Sequence, residues 1–71
     1  MKELYEFPKI IKELRTGEEL TQKQVAEKLG ITYQSYQAYE LGIAIPSLVN
    51  FIKLADLFNV SLDYLIGRGT Y

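Results

Sequence analysis

The residues whose chemistry is most informative lie on a short predicted helix, Tyr33 to Leu41. Spacing puts Ser35, Tyr36 and Tyr39 on its buried side. The outer side contains no charged residue and consists of Tyr33, Gln34, Gln37, Ala38 and Leu41. A Gln amide can pair with both the N6 and N7 atoms of adenine, and an apolar group can pack on a thymine methyl. This side therefore suits contact with the base edges of duplex DNA.

A solvated helix surface is the plainer interpretation of the same residues. Solvated surfaces usually favour Lys and Glu, which pair at i and i+4, and this one has neither. The net charge of −1 and the pI of about 5.3 argue against DNA binding, because DNA-binding domains usually carry a basic excess. Several acids stand towards the chain ends, namely Glu3, Glu6, Asp56 and Asp63, so we expect the net charge to understate the potential near this helix.

Length and composition exclude several classes of protein. A chain of 71 residues allows one domain, here residues 1–71 with 68–71 as a tail. Without Cys or His, disulfides, thiolate metal sites and Cys or His catalysis are excluded, and zinc would need carboxylates alone. We therefore predict no catalytic residue, metal, cofactor or small-molecule substrate. No segment resembles a signal peptide or a membrane span, so we expect a cytoplasmic protein with no membrane partner.

Caps and spacing predict five helices. Phe7, Ile10, Ile11 and Leu14 form one apolar stripe, and Gly17 is expected to end that helix in a left-handed conformation. The next four helices each follow an N-cap whose hydroxyl accepts a backbone N–H: Thr21, Thr32, Ser47 and Ser61. Thr21 with Gln24 predicts a capping box.

The fourth and fifth helices are the most apolar. The fourth is expected from Leu48 to Phe58, and the fifth from Leu62 to about Ile66, before Gly67. We expect an inward stripe on the fourth helix made by Leu48, Phe51, Ile52, Ala55 and Phe58. Leu54 is expected at the edge of that stripe.

The second and third helices are joined by a link of only Gly30-Ile31-Thr32, which is the signature of a helix-turn-helix. The stretch LTQKQVAEKLGITYQSYQAYELG, followed by PSLVNFIKLADLFNVSLDYLIG, resembles the Cro/CI-type (XRE-type) domains of phage and bacterial repressors. The likeness covers about residues 7–67. It implies an all-α, compact, five-helix, lambda-repressor-like domain that binds a double-stranded DNA operator as a homodimer, with the third helix as recognition helix.

The resemblance also implies roles for individual residues. Gln34, Gln37 and Ala38 match base-contacting positions, and Tyr33 matches one that touches a base or a phosphate. Phosphate contacts are expected at the start of the second helix and after the third, from Gln22, Lys23 and the backbone N–H groups of Ile43 and Ala44. Arg15 and Glu40 match a buried ion pair with a structural role.

One departure from the family keeps a second interpretation open. Where relatives often carry Lys or Arg, this chain has Ile43-Ala44-Ile45, which predicts few phosphate contacts and a shallow salt dependence. The alternative is a protein-interaction or antitoxin-like module with weak DNA binding. An enzyme is a third possibility, and it would need a carboxylate pair in a pocket.

The sequence also suggests a dimer surface near the C-terminal end. It would consist of Leu57, Tyr64, Tyr71 and Leu54. The alternative is that the fifth helix covers these residues within the monomer.

Overall fold

The computed structural model describes residues 6–68, and these form an all-helical domain without strands. This confirms the predicted fold class. The radius of gyration is 10.8 Å. The elements are α1 (Phe7–Gly17), α2 (Gln22–Leu29), α3 (Tyr33–Leu41), α4 (Leu48–Phe58) and α5 (Leu62–Leu65).

Side-chain caps begin four of these helices. Thr21, Thr32, Ser47 and Ser61 each accept a hydrogen bond from the backbone N–H three residues later. The Gln24 side chain also accepts the N–H of Thr21 at 2.8 Å, so the predicted capping box is confirmed. These caps fix where each helix begins, because they satisfy N–H groups that have no partner within the helix.

The end of α1 differs from the prediction in one detail. Gly17 is its last residue, but the left-handed conformation belongs to Glu19, with φ 58°. The N–H of Leu20 then bonds the carbonyl of Arg15 at 3.1 Å. The reversal occurs directly before Leu20 because that side chain must turn back to pack against the core.

The core lies where the helices meet and is built around aromatic rings. Phe7 contacts Tyr39 and Phe51 edge-on, with ring centroids 6.5 Å and 5.1 Å apart. Tyr36 is fully buried beside Tyr39. This packing holds α3 and α4 against α1, so one side of α3 is fixed in the core.

The buried side of α4 is rotated from the predicted one. Leu54 is fully buried, whereas Leu48 is 68% exposed and Ile52 is 44% exposed. The expected stripe is therefore wrong in these three residues. Phe51, Leu54, Ala55 and Phe58 also follow the spacing i, i+3, i+4 and i+7. Because α4 is apolar on nearly every side, spacing alone does not distinguish the two stripes.

The suggested dimer surface near the C-terminal end is not supported in full. Leu54 is buried, Leu57 is half-buried against the core, and Tyr64 is half-buried. Tyr71 lies outside the described residues. The larger exposed apolar surface lies elsewhere, between the end of α3 and the first half of α4.

Two substitutions on α4 test which side faces the core. Leu54→Ala should lower the free energy of unfolding by about 3 kcal/mol, because it leaves a cavity at a fully buried site. Leu48→Ala should change it by less than about 0.5 kcal/mol, because that side chain is largely exposed. Urea titration followed by circular dichroism measures both, and equal losses would contradict this packing.

Candidate nucleic-acid interface

The carboxylate of Glu40 ties the first three helices together. Its side chain is 4% exposed, and each oxygen accepts two hydrogen bonds. Oε2 accepts Arg15 Nε at 2.6 Å and the Tyr36 hydroxyl at 2.5 Å. Oε1 accepts Arg15 Nη2 at 3.1 Å and Gln22 Nε2 at 2.9 Å. We call these four residues the Glu40 cluster; it joins α1, the start of α2, and α3.

The cluster keeps Glu40 ionised despite its burial. Burial alone would raise the pKa of the carboxyl, but hydrogen bonds from Arg15, Tyr36 and Gln22 together hold it below its ordinary value. The hydrogen bond to Glu40 raises the pKa of Arg15 against the opposing effect of burial. Burial, and then the hydrogen bond to Glu40, raise the pKa of Tyr36. The charged pair is therefore the stable form at neutral pH.

Each of the three guanidinium nitrogens of Arg15 donates a hydrogen bond within the domain. Two of its nitrogens bond Glu40, and Nη1 donates to the carbonyl of Leu20 at 2.9 Å. The hydrogen bond to Leu20 fixes the segment that connects α1 to α2. Arg15 thus fixes the chain at the entry to α2.

Two contacts hold the C-terminal end of α2, where the turn into α3 begins. Gly30 adopts φ 74°, and the N–H of Ile31 bonds the carbonyl of Ala26 at 3.0 Å. Lys53 of α4 donates from Nζ to the carbonyl of Leu29 at 3.1 Å, a contact that sequence reasoning missed. A Lys at the C-terminal end of a helix suits the helix dipole, but nothing in the sequence spacing indicates that Lys53 reaches α2.

The outer side of α3 presents the predicted base-reading residues at different depths. Gln34 is exposed and Tyr33 is 37% exposed, while Gln37 and Ala38 are half-buried. Ser35 is wrongly predicted as buried. It is exposed at the first turn, where its hydroxyl accepts a hydrogen bond from the Thr32 hydroxyl at 2.9 Å.

An open cleft of about 640 Å³ lies where the starts of α2 and α3 approach each other. The N–H groups of the first turn of α2 have no partner within the helix, except where a side chain caps them. Thr21 takes that of Gln24, which leaves those of Gln22 and Lys23 for a ligand. The cleft is lined by Arg15, Leu20, Thr21, Gln22, Lys23 and Tyr33.

Two predicted phosphate contacts need revision. The Gln22 side chain already donates to Glu40, so its backbone N–H is the better placed group for an anion. The N–H of Ile43 bonds the carbonyl of Ala38 at 3.1 Å as part of the C-terminal cap of α3, and it is therefore not available to a phosphate. The N–H of Ala44 has no such bond within residues 6–68.

The described part of the chain holds neither a metal-binding cluster nor a membrane-spanning helix. Among residues 6–68, no group of three or more Asp and Glu side chains is arranged to hold a metal ion. No helix in the same range is both long and apolar enough to cross a membrane.

Removing the charge of Glu40 should destabilise the domain. Glu40→Gln should lower the free energy of unfolding at pH 7 by about 2–3 kcal/mol, because Arg15 is left without its counter-charge. Glu13→Gln, on the exposed surface of α1, is the matched control and should cost less than about 0.5 kcal/mol. Similar values for the two variants would contradict a structural role for the cluster.

The lowered pKa of Glu40 also predicts how the stability of the domain depends on pH. Because folding lowers the pKa of Glu40, the unfolded state takes up more protons as the pH falls below the ordinary value of 4.5. The stability contribution is complete above that pH and is lost as the pH falls through the folded pKa. The free energy of unfolding, measured from pH 6 to 3, should therefore fall more steeply in the natural chain than in Glu40→Gln. Parallel curves for the two proteins would contradict a lowered pKa of Glu40 in the folded state.

Comparison with known proteins identifies the arrangement. Residues 11–65 match the helix-turn-helix family HTH_3. The chain is 43% identical over 60 residues to the uncharacterized HTH-type transcriptional regulator YqaE of Bacillus subtilis, covering 84% of this chain and 52% of the relative. It is 44% identical over 48 residues to the cryptic phage CTXphi transcriptional repressor RstR of Vibrio cholerae, covering 68% and 43%.

A third relative is the HTH-type transcriptional regulator ImmR of Bacillus subtilis, 42% identical over 60 residues, with 84% of this chain and 47% of the relative covered. The chain thus spans about half the length of these relatives. No solved structure matches it. The match over residues 11–65 and these identities show that the chain belongs to the XRE-type helix-turn-helix family.

Proposed function

We propose that this chain binds duplex DNA in a sequence-specific way, with α3 in the major groove. The observation that carries this proposal is the outer side of α3, which offers two Gln amides and no charge. Core packing and the Glu40 cluster hold the opposite side. Gln34, Gln37 and Ala38 are the proposed base-reading residues, and Tyr33 contacts a base or a phosphate.

Phosphate contacts are proposed chiefly at the cleft between the starts of α2 and α3. The backbone N–H groups of Gln22 and Lys23 and the positive end of the α2 dipole suit an anion there. The ammonium of Lys23 adds a charge at the exposed rim. A contact from the N–H of Ala44 remains a prediction. This small set of donors fits the low net charge of the chain.

The relatives support a role in transcription. YqaE and ImmR are named as transcriptional regulators, and RstR is named as a phage repressor. We propose that the chain acts in the cytoplasm as a repressor-like regulator and binds its operator as a homodimer. We assign it no catalytic residue, cofactor, metal or small-molecule substrate, and we treat residues 1–71 as one domain.

A protein-interaction or antitoxin-like module is the second candidate. The observation that favours it is the uncharged, exposed segment after α3, where Ile43 is 76% exposed and Ile45 is 65% exposed. Such a module would not depend on the two glutamines of α3, and this difference separates the two proposals.

Substitution of the glutamines tests base reading. Gln34→Ala and Gln37→Ala should each weaken binding to the preferred duplex by about 1–3 kcal/mol and leave binding to a scrambled duplex nearly unchanged. Fluorescence anisotropy with both duplexes measures this, and Glu13→Ala on α1 is the control. Unaltered affinity in both Gln variants would favour the interaction module.

The salt dependence of DNA binding tests the phosphate contacts. Removal of one cationic group from a phosphate changes the slope of log K against log salt concentration by about 0.9. Lys23→Ala should therefore reduce the slope by about 1 for each bound subunit. Lys28→Ala, in the last turn of the same helix, should not change it. Equal slopes for the natural chain and Lys23→Ala would remove Lys23 from the interface.

A further inference from the structure

Four uncharged side chains form one regular stripe along the outer side of α3. They are spaced i, i+3, i+4 and i+7, so they lie along the same side of the helix. The last of them, Leu41, is 65% exposed and ends α3, and the chain leaves the helix at Gly42, where φ is 78°. We call this set the outer stripe: Gln34, Gln37, Ala38 and Leu41.

The two amides of the outer stripe are available to a ligand. The chain contains four Gln residues. Gln22 donates to Glu40, and Gln24 belongs to the capping box of α2. Within the described part of the chain, the side chains of Gln34 and Gln37 have no hydrogen-bond partner. Each amide can therefore donate and accept at once, which is what the N6 and N7 atoms of adenine require.

The outer stripe has no group that would select a G·C base pair. Guanine is read chiefly by Arg or Lys, and cytosine by Asp or Glu, and the outer stripe contains none of these. Two cations near the helix-turn-helix are bound within the domain, since Arg15 is held by a carboxylate and Lys53 by a backbone carbonyl. Lys23 lines the cleft at the start of α2, where it is the proposed phosphate contact.

The apolar members of the outer stripe suit thymine. Thymine is the base that presents a methyl group in the major groove, and apolar side chains pack on it. Gln34 and Leu41 are seven positions apart, which is roughly 10 Å along the helix and corresponds to about three base pairs of duplex. The amides and the apolar groups can therefore meet adenines and thymines of neighbouring base pairs.

We propose that the outer stripe reads a short run of A·T base pairs, and that Leu41 packs on the methyl group of a thymine in that run. This assignment rests on the proposed function, because α3 must enter the major groove for the contact to form. It adds to that function a class of operator and a residue that determines specificity.

Selection of bound duplexes from a random DNA pool tests the base composition. Gln34→Ala and Gln37→Ala identify the base pairs that the outer stripe contacts, because they relax the sequence preference at those pairs. In the sequences selected by the natural chain, we expect A·T pairs at these positions. G·C pairs there would overturn the assignment and leave sequence-specific binding intact. If no sequence were enriched, the proposed function and the assignment would both be wrong.

Replacement of single thymines by uracil in the selected duplex tests the contact of Leu41. Uracil lacks only the methyl group, so the natural chain should bind about 4-fold more weakly when the thymine that Leu41 contacts is replaced. In Leu41→Ala the same replacement should cost less than about 2-fold, because the two changes remove one contact. Leu62→Ala is the matched control, since Leu62 is an exposed leucine of α5, and it should keep the full loss.

Fluorescence anisotropy gives the affinities, and circular dichroism checks the fold of both variants. Tight binding of the natural chain to the selected duplex without loss at any uracil position would overturn the role of Leu41 and leave the proposed function standing. Equal uracil losses in the natural chain and Leu41→Ala would also overturn it. A loss that disappears in Leu41→Ala and persists in Leu62→Ala would support it.

Discussion

The position of α3 depends on the hydrogen bonds and the ion pair that the Glu40 carboxylate makes. It lies in the last turn of α3 and bonds Arg15 of α1, Gln22 at the start of α2, and Tyr36 one turn earlier. A buried ion is expensive unless its hydrogen bonds are complete, and here both oxygens are fully used. A shift of α3 along α1 or α2 would break these bonds while the charge remained buried. The cluster thus favours one orientation of the helix-turn-helix over its alternatives.

In that orientation one side of α3 packs in the core and the other side faces outwards. Tyr36 and Tyr39 pack in the core, so the amides of Gln34 and Gln37 are presented from a helix whose rotation is fixed. The same cluster draws in the Gln22 side chain and leaves the N–H groups at the start of α2 for an anion. Beyond α3 the surface changes from amides to aliphatic side chains. The proposed DNA contacts accordingly lie on α2 and α3.

The sequence predicted those features that depend on local chemistry. Four N-caps and the bounds of α2, α3 and α4 follow from hydroxyls and spacing, and the structure reproduces them. The prediction from sequence failed where the pattern was ambiguous. Because α4 is apolar on most sides, spacing alone could not show that Leu54 is more deeply buried than Leu48. Contacts such as Lys53 with Leu29 and Gln22 with Glu40 depend on how the helices approach one another, which spacing along one helix does not encode. The resemblance supplied the proposed base-reading positions, and these remain predictions.

Selection of bound duplexes from a random DNA pool tests the central claim most directly. If α3 reads base edges, a near-palindromic sequence should emerge with half-sites about 34 Å apart, one helical turn. The selected duplex should bind at least ~10³-fold more tightly than a scrambled control at the same salt concentration. If no sequence is enriched and affinity stays weak at low salt, α3 does not read DNA, and the role assigned to its outer side is wrong.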